Sequence, residues 1–426
     1  MGVRFGALSL GGLFGEMLKL DFENDLASTV DAEFASTTGT ISKFKSVIIT
    51  SNWRNFHQHR AYIVEAMAQN GMEPIVIGPY SGEDIDKKLT VPVYKIAFKR
   101  TIFDTLSVLA TLRDVAAIIR DQKPDLLNAI TLKPIVIGSL LLRFGRLFGL
   151  DKKFVLVATF AGLGIVFSKT SQKSVAGRMR RFLVERLFRF LLQHERITGV
   201  FETTSDQKFA IEQFGIPVAR TVVVDGTGVD LEVFQPGPRK TRTIKNILFA
   251  GRLLHSKGIF EFVKSAEILS HTGEYRFIVA GWEYDSPDAL TRAELEALRS
   301  NPTVNYLGFV ENMAELLRDV DLLVLPSQYP EGIPKILLEA AASEVPILTT
   351  DFPGSRMVVR DGFTGYIVPT SDPRKLSEAI QNVFFNKEKY DLVRRSSRKF
   401  ILDNGLSSSA ICHSFIKIFR DVVRES

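Results

Sequence analysis

Residues 246–258 read Asn-Ile-Leu-Phe-Ala-Gly-Arg-Leu-Leu-His-Ser-Lys-Gly, an apolar run followed by a loop with two cations. Residues 321–339 read Asp-Leu-Leu-Val-Leu-Pro-Ser-Gln-Tyr-Pro-Glu-Gly-Ile-Pro-Lys-Ile-Leu-Leu-Glu and repeat the order of apolar run, loop and helix-forming segment. A short, uninterrupted apolar run before a helix is typical of a parallel strand covered on both faces. Both stretches therefore predict strand–loop–helix units whose loops lie at the carboxyl edge of a sheet.

The same alternation continues outward through most of the chain. Apolar or β-branched runs separated by helical segments predict strands at residues 46–50, 74–77, 125–128, 154–159, 199–201, 221–224, 246–250, 276–280, 304–307, 321–326, 346–349 and 365–368. The pattern restarts after the polar, proline-rich segment 235–243, which we interpret as a linker. The prediction is an α/β protein of two Rossmann-like, doubly wound domains that face a central cleft.

The length of 426 residues suits two such domains. We predict a poorly ordered N-terminal extension over residues 1–43, one Rossmann-like domain over 44–235 and a second over 236–405. A C-terminal helix over 406–426 is expected to pack back towards the first domain. Residues 1–43 lack a small-x-small cleavage site, and no apolar run approaches the eighteen or so residues of a membrane span.

Cysteine content and charge narrow the functional classes. The single cysteine, Cys412, argues against a disulfide framework or a Cys-rich zinc site and favours a reducing compartment, so we predict a cytoplasmic protein. The net charge is +6, but residues 133–196 alone carry thirteen Lys and Arg against three Asp and Glu, which is +10. This excess predicts an anionic partner nearby, for which nucleic acid and an anionic membrane surface are both physically reasonable.

The first loop suits a phosphate. We expect Gly251 to let the backbone turn tightly, while Arg252 and Lys257 place two cations beside the start of a helix. Free N–H groups and the helix dipole attract phosphate there, and an arginine adds a bidentate clamp. The alternative is an ordinary solvated loop that carries two surface cations.

The second loop places two carboxylates on either side of a helix start. Pro334 occupies the expected first helical position, and Gly332 permits a ligand to approach the backbone closely. Glu331 lies in the loop and Glu339 lies about a turn and a half into the helix, so the two carboxylates could bind hydroxyl groups on either side of a phosphate. The alternative is one capping and one solvated glutamate on an amphipathic helix.

Together these motifs resemble the retaining family-four glycosyltransferases of the GT-B fold. The resemblance covers roughly residues 46–420 and rests on the Glu331–Glu339 spacing and the upstream Gly-Arg…Lys-Gly of residues 251–258. It implies that Arg252 and Lys257 hold the diphosphate of a nucleotide-sugar donor, that Glu331 contacts hydroxyls of the donor sugar, and that Glu339 contacts the ribose. Gly251, Gly332 and Ile333 would complete this donor site.

The amino-terminal half looks like bacterial enzymes that extend polyprenyl-diphosphate-linked glycans for O-antigen, lipopolysaccharide, capsule or protein N-glycans. The matching segments are residues 131–134 and 158–167, which suggest acceptor-side roles for Lys133, Gly162 and Gly164. A plain turn is the alternative for the two glycines. Two departures from these relatives, Leu132 in place of a His and Met357 in place of a Glu, affect the expected acceptor contacts and a nearby loop.

Two further segments of the first half have alternative interpretations. His57 and Arg60 follow the first predicted strand, where a cleft-facing loop would give them an acceptor role and a helix start would leave them solvated. The basic segment 176–192 fits either an interfacial helix on an anionic membrane or a core-packed helix with a charged outer face.

The reaction predicted from the resemblance moves a hexosyl or N-acetylhexosaminyl group from a UDP-sugar, with retention, to a polyprenyl-diphosphate-linked glycan. No Asp-x-Asp pair comes directly after a predicted strand of the first half, and no His, Cys or carboxylate cluster has metal-ligand spacing. We therefore predict transfer without a metal or other cofactor. The lipid-linked acceptor further predicts a protein peripheral to the inner face of the cell membrane, and no nucleic-acid partner is expected.

Two other functions compete with that reading. A non-catalytic scaffold that binds nucleotide sugar as a partner subunit stays open at this point. A dehydrogenase is disfavoured, because no Gly-x-Gly-x-x-Gly follows the first predicted strand.

Overall fold

The structure, a computed structural model, describes residues 43–80, 89–98, 105–151, 153–161, 175–238, 242–283, 286–329, 331–369 and 372–426. Every structural statement below concerns these residues. The predicted extension 1–43 lies outside them apart from Lys43.

The first half of the chain forms a parallel sheet of seven strands in the order β3-β2-β1-β4-β5-β6-β7. Its strands are β1 Lys45–Thr50, β2 Glu73–Gly78, β3 Val93–Lys95, β4 Leu126–Ile130, β5 Val155–Phe160, β6 Ile197–Phe201 and β7 Thr221–Val223. Its helices are α1 Trp53–Gln69, α2 Thr105–Gln122, α3 Leu132–Phe144, α4 Val175–Leu192 and α5 Thr204–Phe209.

The second half forms a parallel sheet of six strands in the order β10-β9-β8-β11-β12-β13. Its strands are β8 Lys245–Arg252, β9 Tyr275–Trp282, β10 Val304–Gly308, β11 Leu322–Leu325, β12 Ile347–Thr350 and β13 Tyr366–Val368. The remaining helices are α6 Ile259–Leu269, α7 Arg292–Ser300, α8 Met313–Leu317, α9 Lys335–Ala342, α10 Pro353–Arg356, α11 Pro373–Phe385, α12 Lys387–Asp403 and α13 Ser408–Arg424.

Two doubly wound parallel sheets confirm the predicted fold class, and all twelve predicted strands are present within a few residues of their expected bounds. The prediction missed β3, which pairs with Val76–Gly78 at the edge of the first sheet. Its three residues are all at least partly exposed, so they lack the continuous apolar run that marks the buried strands.

Three apolar clusters hold the two sheets. One surrounds the second sheet, including β8, β11 and α9. Another covers one face of the first sheet with α2, α3 and α4. The third covers the opposite face of the first sheet and combines residues of β1 and α1 with Ile411, Phe415 and Phe419 of α13. Helix α13 therefore packs against α1 and completes the core of the first sheet.

None of the described helices is both long enough and apolar enough to cross a bilayer.

Candidate active site at the carboxyl edges of the sheets

The loop after β8 turns later than the sequence suggested. The tight turn expected at Gly251 is absent, because β8 continues through Arg252 and pairs Gly251 with Gly281 of β9. A Cβ on Gly281 would lie only 2.4 Å from the Gly251 carbonyl oxygen, so these two strands approach closely here. The chain turns at Gly258, which has φ +77° and ends a short 3-10 turn over His255–Lys257.

Gly258 is required for space as well as for conformation. Its left-handed backbone disfavours residues with a Cβ. A Cβ at this position would also lie 2.1 Å from the carbonyl oxygen of Pro326, at the end of β11. Gly258 therefore lets the β8 loop pack directly against the β11 loop, and it fixes the separation of the two predicted binding segments.

Gly258→Ala is expected to destabilise the fold by about 1–3 kcal/mol more than Gly273→Ala, the typical cost of forcing extra atoms into a packed site. Gly273 is a matched control, because it also ends a 3-10 turn with φ +67° but its Cβ would meet open space. Urea unfolding of both variants measures the difference. Equal losses in the two variants would show that only the backbone conformation matters at Gly258.

The loops after β8 and β11 bring four polar side chains together in what we call the edge cluster: Arg252, Lys257, Tyr329 and Glu331. Lys257 Nζ donates to Glu331 Oε2 at 2.5 Å, and the Ser327 hydroxyl donates to Glu331 Oε1 at 2.9 Å. Lys257 is buried and the Glu331 side chain is nearly so. Because the charges neutralise each other away from water, this pairing fixes both side chains and leaves no net charge on the pair.

Arg252 is joined to the edge cluster through Tyr329, which the sequence analysis did not single out. The guanidinium of Arg252 hydrogen-bonds to the Tyr329 phenol. Burial, and after it the Glu331 carboxylate, raise the pKa of Tyr329 to about 12 against the opposing cation of Arg252. The phenol therefore stays neutral near pH 7 and holds Arg252 at the edge of the sheet.

Helix α9, which follows the loop after β11, begins at a slightly different residue than predicted. Pro334 is the N-cap residue with an extended ψ of 121°, and the helix begins at Lys335, one residue later than expected. Ile333 is buried against Gly226. Gly354, which the sequence analysis missed, supports the loop from below: its Cβ would lie 2.1 Å from the Gly332 carbonyl oxygen.

Glu339 lies on α9 and is paired separately from Glu331. Its carboxylate is 4.0 Å from Lys335 Nζ, which in turn donates to the carbonyl oxygen of Gln58 at 2.5 Å. Burial raises the pKa of Glu339, and the Lys335 cation opposes that rise. The hydrogen bond to Gln58 joins α9 of the second half to α1 of the first half, so the carboxyl edges of the two sheets meet here.

On the side of this contact that belongs to the first sheet, Arg60 and Glu202 form a buried ion pair. His57 and Arg60 lie within α1, so of the two alternatives for this segment the structure has the helix start and not the cleft-facing loop, although Arg60 is buried rather than solvated. The helix starts at Trp53 because the Asn52 side chain caps it by accepting from the Asn55 N–H. Glu202 directly follows β6, and its Oε2 lies 3.0 Å from the position a Cβ would take on Gly332.

His59 shares this contact region and was not predicted as a site residue. Burial and, after it, the nearby cations Lys335, Arg60 and Arg252 together lower the pKa of His59 to about 3. The imidazole is therefore neutral near pH 7. Its buried Nδ1 makes no hydrogen bond to any of the residues that the structure describes.

The remaining acceptor-side predictions lie on the first sheet. Lys133 is half-buried in the first turn of α3, and burial lowers its pKa. Thr131 before it has an unusual φ of +74° and shares a 3.0 Å hydroxyl contact with Ser51, which follows β1. Strained backbone of this kind clusters at functional sites. Gly162 and Gly164 lie outside the described residues.

Metal-ligating side chains do not gather here. Over the part of the chain that the structure describes, His, Cys, Asp and Glu nowhere form a group of three or more that could hold a metal ion. What the site offers instead is an arginine, a helix N-terminus and two separately paired carboxylates at one sheet edge. Such a set can bind an anionic group and the hydroxyls beside it.

Two family models match the chain over separate segments. The model described as Glycosyl transferase 4-like matches residues 46–196. The model described as Glycosyl transferases group 1 matches residues 233–400, which include the edge cluster.

Curated relatives match the chain over most of their length. It is 26% identical over 389 residues to the N,N'-diacetylbacillosaminyl-diphospho-undecaprenol alpha-1,3-N-acetylgalactosaminyltransferase of Campylobacter jejuni, covering 87% of this chain and 96% of the relative. It is 22% identical to the capsular polysaccharide biosynthesis glycosyltransferase CapM of Staphylococcus aureus, covering 85% and 93%.

Solved structures share the fold. A sucrose-phosphate synthase from Thermosynechococcus elongatus superposes with a TM-score of 0.72 at 16% identity, covering 90% of this chain and all of the other. Anabaena HepE in complex with UDP and glucose superposes with a TM-score of 0.69, also at 16% identity, covering 89% and all of the other. At such identities the likeness shows a common GT-B architecture.

Proposed function

We propose that this chain, whose two halves match the glycosyl transferase 4-like and group 1 models and form the two sheets of a GT-B fold, transfers a hexosyl or N-acetylhexosaminyl group from a UDP-sugar to a lipid-linked glycan. The acceptor is a polyprenyl-diphosphate-linked chain used to build a surface polysaccharide. The observation that carries the proposal is the edge cluster, which fixes an arginine and a carboxylate beside the start of α9.

The edge cluster suits a nucleotide-sugar donor. Arg252 and the N–H groups at the start of α9 bind the diphosphate, with Lys257 holding Glu331 in place and adding its own cation. Glu331 accepts hydrogen bonds from hydroxyls of the donor sugar, while Gly251, Gly332 and Ile333 line the site with backbone. Glu339 accepts from the ribose hydroxyls.

The acceptor binds against the first sheet, where Arg60, Lys133 and His57 lie. The choice of a lipid-linked acceptor is supported by the Campylobacter relative, whose name specifies an undecaprenol-diphosphate substrate. The choice of UDP is supported by Anabaena HepE, which was solved with UDP-glucose as well as with UDP and glucose. The reaction takes place at the cytoplasmic face of the cell membrane, where a nucleotide sugar can meet a lipid-linked acceptor.

The proposed mechanism retains the anomeric configuration without a metal. The bond between the anomeric carbon and the diphosphate oxygen breaks, and the acceptor hydroxyl bonds to that carbon from the face the diphosphate leaves. The hydroxyl proton passes to a diphosphate oxygen. Negative charge that develops on the diphosphate is stabilised by Arg252, Lys257 and the α9 dipole, which are already in position before reaction.

A donor screen tests the proposal. Thermal shift against UDP- and GDP-sugars should identify one UDP-sugar that raises the melting temperature through binding. Incubation of that sugar with a polyprenyl-diphosphate-linked acceptor should give a product heavier by one sugar, with the anomeric configuration of the donor by NMR. EDTA should leave the rate nearly unchanged.

Three outcomes would contradict parts of this proposal. Loss of activity in EDTA that added Mg²⁺ or Mn²⁺ restores would overturn metal independence. A product of inverted configuration would overturn the retaining mechanism. Donor binding with no transfer to any lipid-linked glycan would instead favour the non-catalytic scaffold.

A further inference from the structure

Helix α4 carries two apolar stripes on nearly opposite faces. The inner stripe, Val184, Phe188, Leu191 and Leu192, is fully buried in the core of the first sheet. The outer stripe follows the same helical spacing but is exposed, and it consists of Met179, Phe182, Leu183, Leu187 and Phe190. Because the inner stripe already anchors the helix, the outer stripe is not needed to build this core.

The end of α3 and the turn after it extend the outer stripe. The rings of Phe144 and Phe190 stack at 6.3 Å between centroids, and Leu147 beside them is 81% exposed. We call the seven exposed side chains the outer patch: Phe144, Leu147, Met179, Phe182, Leu183, Leu187 and Phe190. Contiguous apolar surface of this kind on a water-soluble domain marks a site of interaction with a protein or a membrane.

Arginines accompany the outer patch. The Arg143 guanidinium lies 4.3 Å from the centre of the Phe190 ring, and that of Arg186 lies 5.2 Å from the Phe182 ring. Arg146 and Arg189 belong to the same two segments. The acid on α4, Glu185, is neutralised by Arg181 at 2.6 Å. The patch is therefore apolar at its centre and cationic around it, which complements an anionic lipid surface better than a protein of mixed charge.

The outer patch is also placed to serve the cleft. Helix α4 leads into β6 of a parallel sheet, so it runs from the carboxyl edge of the sheet back to the amino edge. Its Met179 end lies towards the carboxyl edge, where Glu202 and Lys133 lie, and its Phe190 end meets Phe144 at the far end. A bilayer that covers the patch would extend along this flank to the mouth of the site.

We propose that the outer patch docks the enzyme on an anionic phospholipid bilayer, with the apolar side chains in the interfacial region and the arginines on lipid phosphates. The proposal rests in part on the proposed function, since a polyprenyl-linked acceptor lies in a membrane. It adds which surface makes the contact, and it assigns a role to exposed apolar residues that donor binding leaves unexplained.

Sedimentation of the full chain with vesicles tests the docking. Wild-type protein should bind vesicles of phosphatidylcholine mixed with phosphatidylglycerol and bind phosphatidylcholine alone much less. Leu183→Ser/Leu187→Ser should weaken binding to the anionic vesicles by about tenfold or more, because it removes apolar insertion. Arg146→Gln/Arg186→Gln should weaken it similarly and reduce its dependence on salt.

Leu392→Ser/Leu402→Ser on α12 is the matched control, because these leucines of the second half are at least as exposed as Leu187 and nearly as exposed as Leu183, and it should bind as wild type. Transfer to a short, water-soluble acceptor should be unchanged in the patch variants, so failed docking and failed catalysis are separable. Equal binding of the patch variants and wild type, or no binding to anionic vesicles, would overturn the proposal. So would a lipid-free dimer that Leu183→Ser/Leu187→Ser converts to monomer, since the patch would then join two copies.

Discussion

Arg252→Ala is expected to lower the turnover of sugar transfer by about 10²–10³, the usual cost of removing one preorganised group that stabilises developing charge. Arg252 lies at the carboxyl end of β8 and is held there by its hydrogen bond to Tyr329. If it stabilises the leaving diphosphate, its loss acts mainly on kcat, because the charge it opposes grows as the bond to the sugar breaks. Steady-state kinetics with the donor found by the screen measure the effect.

Arg276→Ala provides the control for charge and residue type. Arg276 is exposed near the amino end of the neighbouring strand β9, at the opposite edge of the same sheet. Its replacement should leave kcat within twofold or so of wild type, as is usual for surface changes away from a site. Near-normal turnover of Arg252→Ala, with folding intact by circular dichroism, would sink the electrostatic mechanism.

Lys257→Met is expected to reduce the free energy of unfolding by about 3–5 kcal/mol, the cost of leaving one member of a buried ion pair without its partner. Within the part of the chain that the structure describes, the Ser327 hydroxyl would then be left as the hydrogen-bond donor to the Glu331 carboxylate. Lys264→Met on the exposed face of α6 removes the same charge without this consequence and should change the stability by no more than about 0.5 kcal/mol. Urea unfolding of both variants measures the difference.

The double variant Lys257→Met/Glu331→Gln separates folding from catalysis. Removing both charges relieves the buried carboxylate, so most of the lost stability should return, while transfer should stay low because the carboxylate that we propose binds the sugar is gone. A double-mutant cycle with Glu331→Gln gives the coupling energy. Additive losses of stability in the two single variants would show that the pair is not coupled.

Much of the fold was predictable, because buried parallel strands have continuous apolar runs in the sequence. The twelve predicted strands all exist, and the two loops singled out as binding segments lie side by side. The sequence also predicted that Glu331 lies in the loop before α9 and that Glu339 lies on this helix. The sequence did not predict elements that lack a continuous apolar run, such as the half-exposed edge strand β3.

The pairings within the site could not be read from the sequence. Lys257 and Glu331 are 74 positions apart and Arg60 and Glu202 are 142 apart, so only the folding of the second sheet brings the first pair together and only that of the first sheet the second pair. Nothing local to Lys257 predicts that its charge is neutralised. The same holds for His59, whose neutral state depends on burial and on three cations from both halves of the chain.

Helix α4 shows a different limit. Its composition allowed a core-packed helix or an interfacial helix as exclusive alternatives, whereas the structure shows a buried stripe and an exposed apolar stripe on one helix. The hydrophobic period alone cannot separate two such stripes, because each repeats at the same interval.

The packing of α13 against α1 makes the first sheet depend on a helix that is synthesised long after β1. Ile411, Phe415 and Phe419 cover the face that begins with Ile48 and Trp53. At about 5–20 residues per second, roughly 20–75 s separate the emergence of β1 from the completion of its cover. During translation this half of the protein therefore shows an open apolar face until α13 emerges, which makes the nascent chain a natural client for a chaperone over that interval.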